Sequence, residues 1–536
     1  MKKGRLNKIL EKNIKKLFFV FLLTIVLFCL LFLRIALIQT DETLKAKAKE
    51  QQTKKITLVS NRANIYDTNL NKLTNAKKIL KALVFKDALN QNTLKEIGVL
   101  IDDYRLEELK KKDEPIIFTA KTKIKNKDIL FFEDRERYTK NNSSPTHLIG
   151  YIDKDKEGVS GIEYFLNDYL KENRYSVSLD FLTNRKKEIL NKDDFCLNSK
   201  GNKKDGVVLT INSKLQYILN TALQKHIKSG AGLILNSKTG EILAITSVPS
   251  FNPYDIKKDL NNPEKPLYNR ALQKSPVGSV FKIVTAASAL ENSIPTNHSY
   301  CCKGYYELKD TKFKCHKVSG HNTQDLKNAM KNSCNPYFID LGLKLGAEKI
   351  LNTTKKMGFT RKISLLDGLV CNEATLEDEN MKKGDLANFS FGQGKLKASM
   401  LHIAQMLSIV CNEGIGVVPQ ILKGYVKEGD FKNSFKPIKF DALDKNVCET
   451  LKDILRYSVE KTPADSFFIK SGGKSSTAQT GQFKDKKEIL NTWFCSFSPF
   501  DSPNYILVIL KEDGNFGMSD LGDLTNKINS YISFSS

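Results

Sequence analysis

The hydrophobic pattern begins with a single long run. Leu17 to Leu33 reads LFFVFLLTIVLFCLLFL without a charge and continues past Arg34 through Ile35–Ile38. That length spans the hydrocarbon core of a bilayer, and Arg34 near its end can snorkel to the interface. Lys2, Lys3, Arg5, Lys8, Lys12, Lys15 and Lys16 precede the run. The positive-inside rule therefore predicts a single-pass protein of the cell membrane, with residues 1–16 as a basic cytoplasmic tail, 17–38 as the anchor, and the rest of the chain outside the cytoplasm. A cleaved signal peptide would be shorter and would end in an A-x-A-like site, which this run lacks.

Beyond the anchor, Glu42 to Lys54 predicts a polar helical stalk. Short strands and helices follow to about Lys203, where Asn61–Asp67 and His147–Asp153 read as strand-and-turn segments. The polar stretch Asn198–Asp205 marks a boundary, which predicts one domain over 39–205 and another over 206–536. In the second, Val207–Asn212 predicts a strand and Leu215–His226 a helix. Ala231–Asn236 and Glu241–Val248 predict a hairpin around Gly240, and Trp493–Ser498 and Tyr505–Lys511 predict late strands. Strands at both ends of a helical centre predict an α+β fold with a central antiparallel sheet.

The 536 residues suffice for two or three cores. Their 85 Lys+Arg against 60 Asp+Glu leave a net charge of +25, but the lysines are spread along the whole chain. Zinc-finger spacing, an RNP-type aromatic pattern and a basic helix fork are absent, so no nucleic-acid partner is expected. The basic surface equally suits anionic lipid and acidic envelope polymers.

Three short motifs carry the candidate chemistry, in one order: Ser279-Val-Phe-Lys282, Ser333-Cys-Asn335 and Lys474-Ser-Ser476. Each is cheap alone. S-x-x-K recurs at Ser458–Lys461 and Ser471–Lys474, and a K-T-G sits at Lys238–Gly240 in the hairpin turn. Only Ser279 opens an apolar segment, Phe281–Leu290, whose one charge is Lys282. Three residues apart on a helix, the two side chains share a face. Burial disfavours the ammonium, so Lys282 can accept the serine proton. Ser333 and Asn335 lie between two helical segments, where a hydroxyl and an amide can relay a proton and hold a carbonyl, or simply cap a helix. Lys474 follows Gly472-Gly473 on a strand whose edge can bind an extended peptide while the ammonium attracts a carboxylate. None of the six histidines sits in a triad setting.

In order and context these motifs resemble the class B penicillin-binding proteins. Thr239–Ala244, Pro249–Pro253, Asn269-Arg-Ala271, Ser390-Phe-Gly-Gln-Gly394 and Asn412-Glu-Gly414 add to the likeness, and His147–Tyr151 with Gly158–Glu163 resemble the family's pedestal domain. The resemblance implies a transpeptidase fold of the serine β-lactamase-like kind, on an N-terminal membrane helix and a mixed pedestal. It implies a peptidoglycan D,D-transpeptidase inhibited by β-lactams and needing no cofactor for catalysis. Its partners would be stem peptides, the membrane and a membrane glycosyltransferase. Ser279 would attack the D-Ala-D-Ala bond with Lys282 as general base. Ser333 would shuttle the proton and Asn335 orient the donor peptide. Lys474, Ser475, Ser476 and Thr477 would line the substrate strand, with the backbone N–H groups of Ser279 and Thr477 as oxyanion hole. One departure stands out: the family's third motif usually ends in Gly, where this chain has Ser476, whose side chain is expected to crowd the bound substrate. A hydrolase of the carboxypeptidase or β-lactamase kind, and a scaffold or sensor without turnover, are the competing readings.

Cys302, Cys315, His321 and Cys334 are compatible with tetrahedral zinc, with Cys301 able to replace Cys302. Elongation-type members of the family resemble this arrangement. Against it stand a disulfide from Cys301 or Cys302 to Cys315, and plain buried thiols.

Overall fold

The computed structural model describes residues 2–85, 91–100, 115–139, 144–183, 195–466 and 468–535. Two compact units emerge: residues 1–60 with 175–201, and residues 61–174 with 202–536. In the first, helix α1 (Lys2–Thr40) is exposed from residue 3 onward and is long and apolar enough to cross a membrane. The stalk helix follows as Glu42–Gln52, and β-rich sequence from Thr53 turns the chain into a three-stranded sheet with Tyr175–Leu182 and Cys196–Lys200.

The second unit is built on a five-stranded sheet. Its elements, in chain order, are α2 (Ser213–His226), β1 (Gly230–Asn236), β2 (Ile242–Val248), α3 (Lys282–Glu291), α4 (Asn335–Leu345), α5 (Met400–Cys411), β3 (Gly472–Lys484), β4 (Lys487–Ser498), β5 (Tyr505–Lys511) and α6 (Gly517–Ser535). The strand order is β2-β1-β5-β4-β3, with every neighbouring pair antiparallel. Strand alternation sorts the core into two layers. Ile506 and Val508 of β5 face the large core that holds α3, α4 and α5, whereas Leu507 and Ile509 face α2 and α6. The α+β fold and its antiparallel sheet are those expected, and the hairpin turns at Gly240, whose φ of 79° suits glycine.

One segment departs from expectation. His147–Asp153 is not a strand: Pro145 precedes a one-turn helix, Thr146–Ile149, and only Ile152 bridges to Gly158. Proline's fixed φ favours helix entry there. The motif ending at Glu163 has a packing role. Its fully buried carboxylate accepts from Arg62 Nε at 3.0 Å and Arg137 Nε at 2.6 Å, so each charge is paired.

Candidate active site

Ser279 lies on a 3₁₀ turn, Gly278–Phe281, which leads into α3. Lys282 follows directly as the first residue of α3, and its hydrogen-bond partners come from Ser333 and Asn335. Gly278 takes a φ of 57°, and a Cβ there would lie 2.5 Å from Ser476 Oγ and 2.8 Å from the Thr477 carbonyl oxygen. Gly392 closes in from another side, since a Cβ on it would meet the Gly278 oxygen at 1.9 Å. Two glycines thus let the Ser279 turn sit against β3 and the Ser390–Gly394 segment.

Every residue of α3 from Lys282 to Ala289 is buried. Lys282 Nζ donates to the Ser333 carbonyl at 2.8 Å and to Asn335 Oδ1 at 2.7 Å, and lies 3.1 Å from Ser333 Oγ. Burial, and then the charge of Lys474, hold its pKa well below the ordinary lysine value. The carbonyl and the amide oxygen can only accept, so they take two of the N–H bonds of Lys282, and Ser333 Oγ meets its third position. Ser333 holds this geometry with a φ of 47°, an uncommon backbone for serine of the kind that clusters at functional sites. Asn335 is the first residue of α4.

On β3, Lys474 and Ser476 are buried while Ser475 and Thr477 are half-buried, as alternation requires. Lys474 Nζ donates to the Ser475 carbonyl at 2.8 Å, and burial pushes its pKa down to about 8. The hydroxyl of Ser476 donates to the Val277 carbonyl at 2.7 Å, so it is engaged within the protein. A cleft of about 830 Å³ opens among Ser279, Ser333, Asn335, Ser475, Ser476 and Thr477. Lys282 and Lys474 are buried and are not among the residues that border it. Several contributors had no motif to announce them: Trp493, whose indole donates to the Pro276 carbonyl at 2.8 Å, and Asn388, Phe516 and Met518 along the cleft.

The four donor atoms of Cys302, Cys315, His321 and Cys334 lie within 4.8 Å of one another. Cys315 Sγ and Cys302 Sγ are 3.4 Å and 3.8 Å from His321 Nδ1. Ligands about 2.0–2.3 Å from a tetrahedral zinc stand about 3.3–3.8 Å apart, so the spacing, the donor types and the burial fit that ion. One hydrogen bond links the pair Cys315 and Cys334, lowering the pKa of the Cys315 thiol and raising that of Cys334. Cys301 points away and is exposed, and all ten cysteines are free thiols. Cys315, His316 and His321 also border the cleft.

Residues 230–530 match the family described as the penicillin binding protein transpeptidase domain. Stage V sporulation protein D of Bacillus subtilis is 28% identical, over 92% of this chain and 81% of its own length. The peptidoglycan D,D-transpeptidase MrdA of Haemophilus influenzae is 26% identical, over 62% of this chain and 59% of its own. Among solved structures, the penicillin-binding protein PBP2 of Helicobacter pylori, determined in complex with MreC, superposes with a TM-score of 0.66 at 23% identity. It covers 90% of this chain and 99% of that one. With the matched domain spanning more than half of its length, the chain belongs to the class B penicillin-binding protein family of transpeptidases.

Proposed function

We propose that Ser279 is the acyl-accepting nucleophile of a peptidoglycan D,D-transpeptidase. The enzyme class follows from the family: a serine-type D-Ala-D-Ala transpeptidase of cell-wall synthesis that needs no cofactor for catalysis. The roles of individual residues are our reading. Ser279 Oγ attacks the penultimate D-alanine carbonyl as its proton passes to the neutral Lys282 amine. Backbone N–H groups of Ser279 and Thr477 stabilise the oxyanion. The C–N bond breaks, and the proton returns through the Ser333 hydroxyl to the departing D-alanine amine. An amine of a neighbouring stem then attacks the acyl carbon, and Ser279 regains its proton. Asn335 orients the donor peptide, and Lys474 with Ser475 receives the terminal carboxylate, or that of a β-lactam. The observation that carries this reading is the buried Lys282 amine, held by two obligate acceptors and one hydroxyl from the Ser333–Asn335 loop.

The same reading places residues 39–205 as a pedestal and 206–536 as the catalytic domain, with the N-terminus in the cytoplasm. A membrane glycosyltransferase would supply the glycan strands, and a protein of the MreC kind is a further candidate partner. The match to MrdA favours an elongation-type role, and the match to stage V sporulation protein D favours one in sporulation. Cys302, Cys315, His321 and Cys334 would hold a structural zinc. Because Cys334 lies between Ser333 and Asn335, that ion would brace the loop which holds Lys282. Incubation with a stem pentapeptide tests the function: release of D-alanine with a cross-linked product is expected, and none from Ser279→Ala. D-alanine release without cross-linking, by fast hydrolysis, would favour the carboxypeptidase reading instead. Neither labelling by penicillin nor turnover would favour a scaffold.

A further inference from the structure

Ser476 stands where the family usually has glycine, and its surroundings give that hydroxyl a task. In the register of β3 and β4, Ser476 is directly opposite Trp493. The two side chains reach the same loop. Trp493 Nε1 donates to the carbonyl of Pro276 at 2.8 Å, and Ser476 Oγ donates to the carbonyl of Val277 at 2.7 Å. These carbonyls are consecutive, and the next two residues are Gly278 and the nucleophile. Ser476 is 3% exposed and Val277 1%, so the bond between them is shielded from bulk water, while the Trp493–Pro276 bond is part-buried. Gly278, in turn, is pressed so closely on Ser476 and Thr477 that it has no room for a side chain.

We infer that Ser476 is a positioning residue: with Trp493 it clamps the Pro276–Val277 backbone to the substrate strand and so sets where Ser279 Oγ stands relative to the oxyanion donors. This inference rests on the reading of Ser279 as nucleophile. A serine hydroxyl carries one proton, and here that proton is committed to Val277. The hydroxyl therefore acts on the enzyme's own backbone, although Ser476 also borders the cleft. Without it, a buried carbonyl loses a partner, and the segment is left to Trp493 and to the pairing of Ser275–Pro276 with Lys397–Ala398. Catalysis by proximity is steep in such displacements, while binding of the ligand as a whole is not.

The test separates those two quantities. The full-length chain in detergent is labelled with a fluorescent penicillin over a range of concentrations, giving a pre-covalent dissociation constant and a first-order acylation constant. Thermal midpoint is measured alongside, and the adduct is located by mass spectrometry. Ser476→Ala and Ser476→Gly should each lower the acylation constant by roughly ten- to a hundredfold. The dissociation constant should stay within about twofold, because the carboxylate-binding groups are untouched. Ser476→Thr, which keeps the hydroxyl, should recover most of the rate. Wild-type acylation constants in both the Ala and the Gly variant would overturn the proposal. So would a loss confined to the dissociation constant, or one that follows the thermal midpoint with no recovery in Ser476→Thr. An adduct away from Ser279 in the unaltered protein would overturn the functional reading along with it. That outcome is distinct from a Ser279 adduct formed at an unchanged rate.

Discussion

Lys282 Nζ lies 2.7 Å from Asn335 Oδ1, joining the lysine of the first motif to the asparagine of the second across 53 positions of sequence. The contact gives the amine an acceptor that cannot donate back, and burial removes the water that would stabilise its charge. Proton acceptance from Ser279 is the use this geometry favours, and several outcomes follow from it.

Replacing the base should reveal its size. Lys282→Met keeps the length of the side chain and removes the amine, and should slow acylation by penicillin by roughly a hundred- to ten-thousandfold. Asn335→Ala should slow it less, since Ser333 still holds the amine. Stopped-flow labelling measures both, and equal losses in the two variants would contradict the assignment of the base.

The pH profile of acylation should be bell-shaped. Lys282 is active when neutral, so the rate should rise with pH through its depressed pKa. Lys474 attracts a carboxylate when protonated, and its pKa is pushed down to about 8, so binding should weaken above that pH. A profile that climbs steadily past pH 9 would show that the Lys474 charge is dispensable.

Much of this site was legible in the sequence, for a physical reason. An apolar helix with one lysine announces a buried amine, and Ser-x-Asn at a helix junction announces groups free to meet it. The five strands were readable as short β-prone runs, most of them buried on both faces. Other contributors depend on register. Trp493 reaches Pro276 across 217 residues, and Ser476 opposes Trp493 only because β3 and β4 pair as they do. Spacing alone said that an added side chain at 476 would crowd substrate, whereas the fold turns its hydroxyl onto Val277. The positive φ of Ser333 left no trace in residue type, and Pro145 turned an expected strand at 147–153 into a helical turn.

Metal removal should act on the same loop. The purified, reduced protein should carry about one zinc per chain by elemental analysis, as a closed four-ligand site would. Chelation, or Cys334→Ser, should lower both the thermal midpoint and the acylation rate. Full folding and full acylation in protein free of metal would contradict the bracing role.

Acid should destabilise the fold through two buried histidines. Burial pushes His147 and His402 down to about 4, from an ordinary 6.5. The unfolded chain therefore binds their protons first, and stability present above pH 6.5 is lost as pH falls toward 4, by on the order of 3 kcal/mol per residue. Denaturant midpoints between pH 7 and 4 measure this, and His402→Gln should flatten part of the slope. A midpoint that does not move over that window would contradict it.

The most direct test is to expose the protein to penicillin and locate the adduct by peptide mass spectrometry. A single penicilloyl group on Ser279, absent from Ser279→Ala, is the predicted result. An adduct on any other side chain would contradict the assignment of the nucleophile.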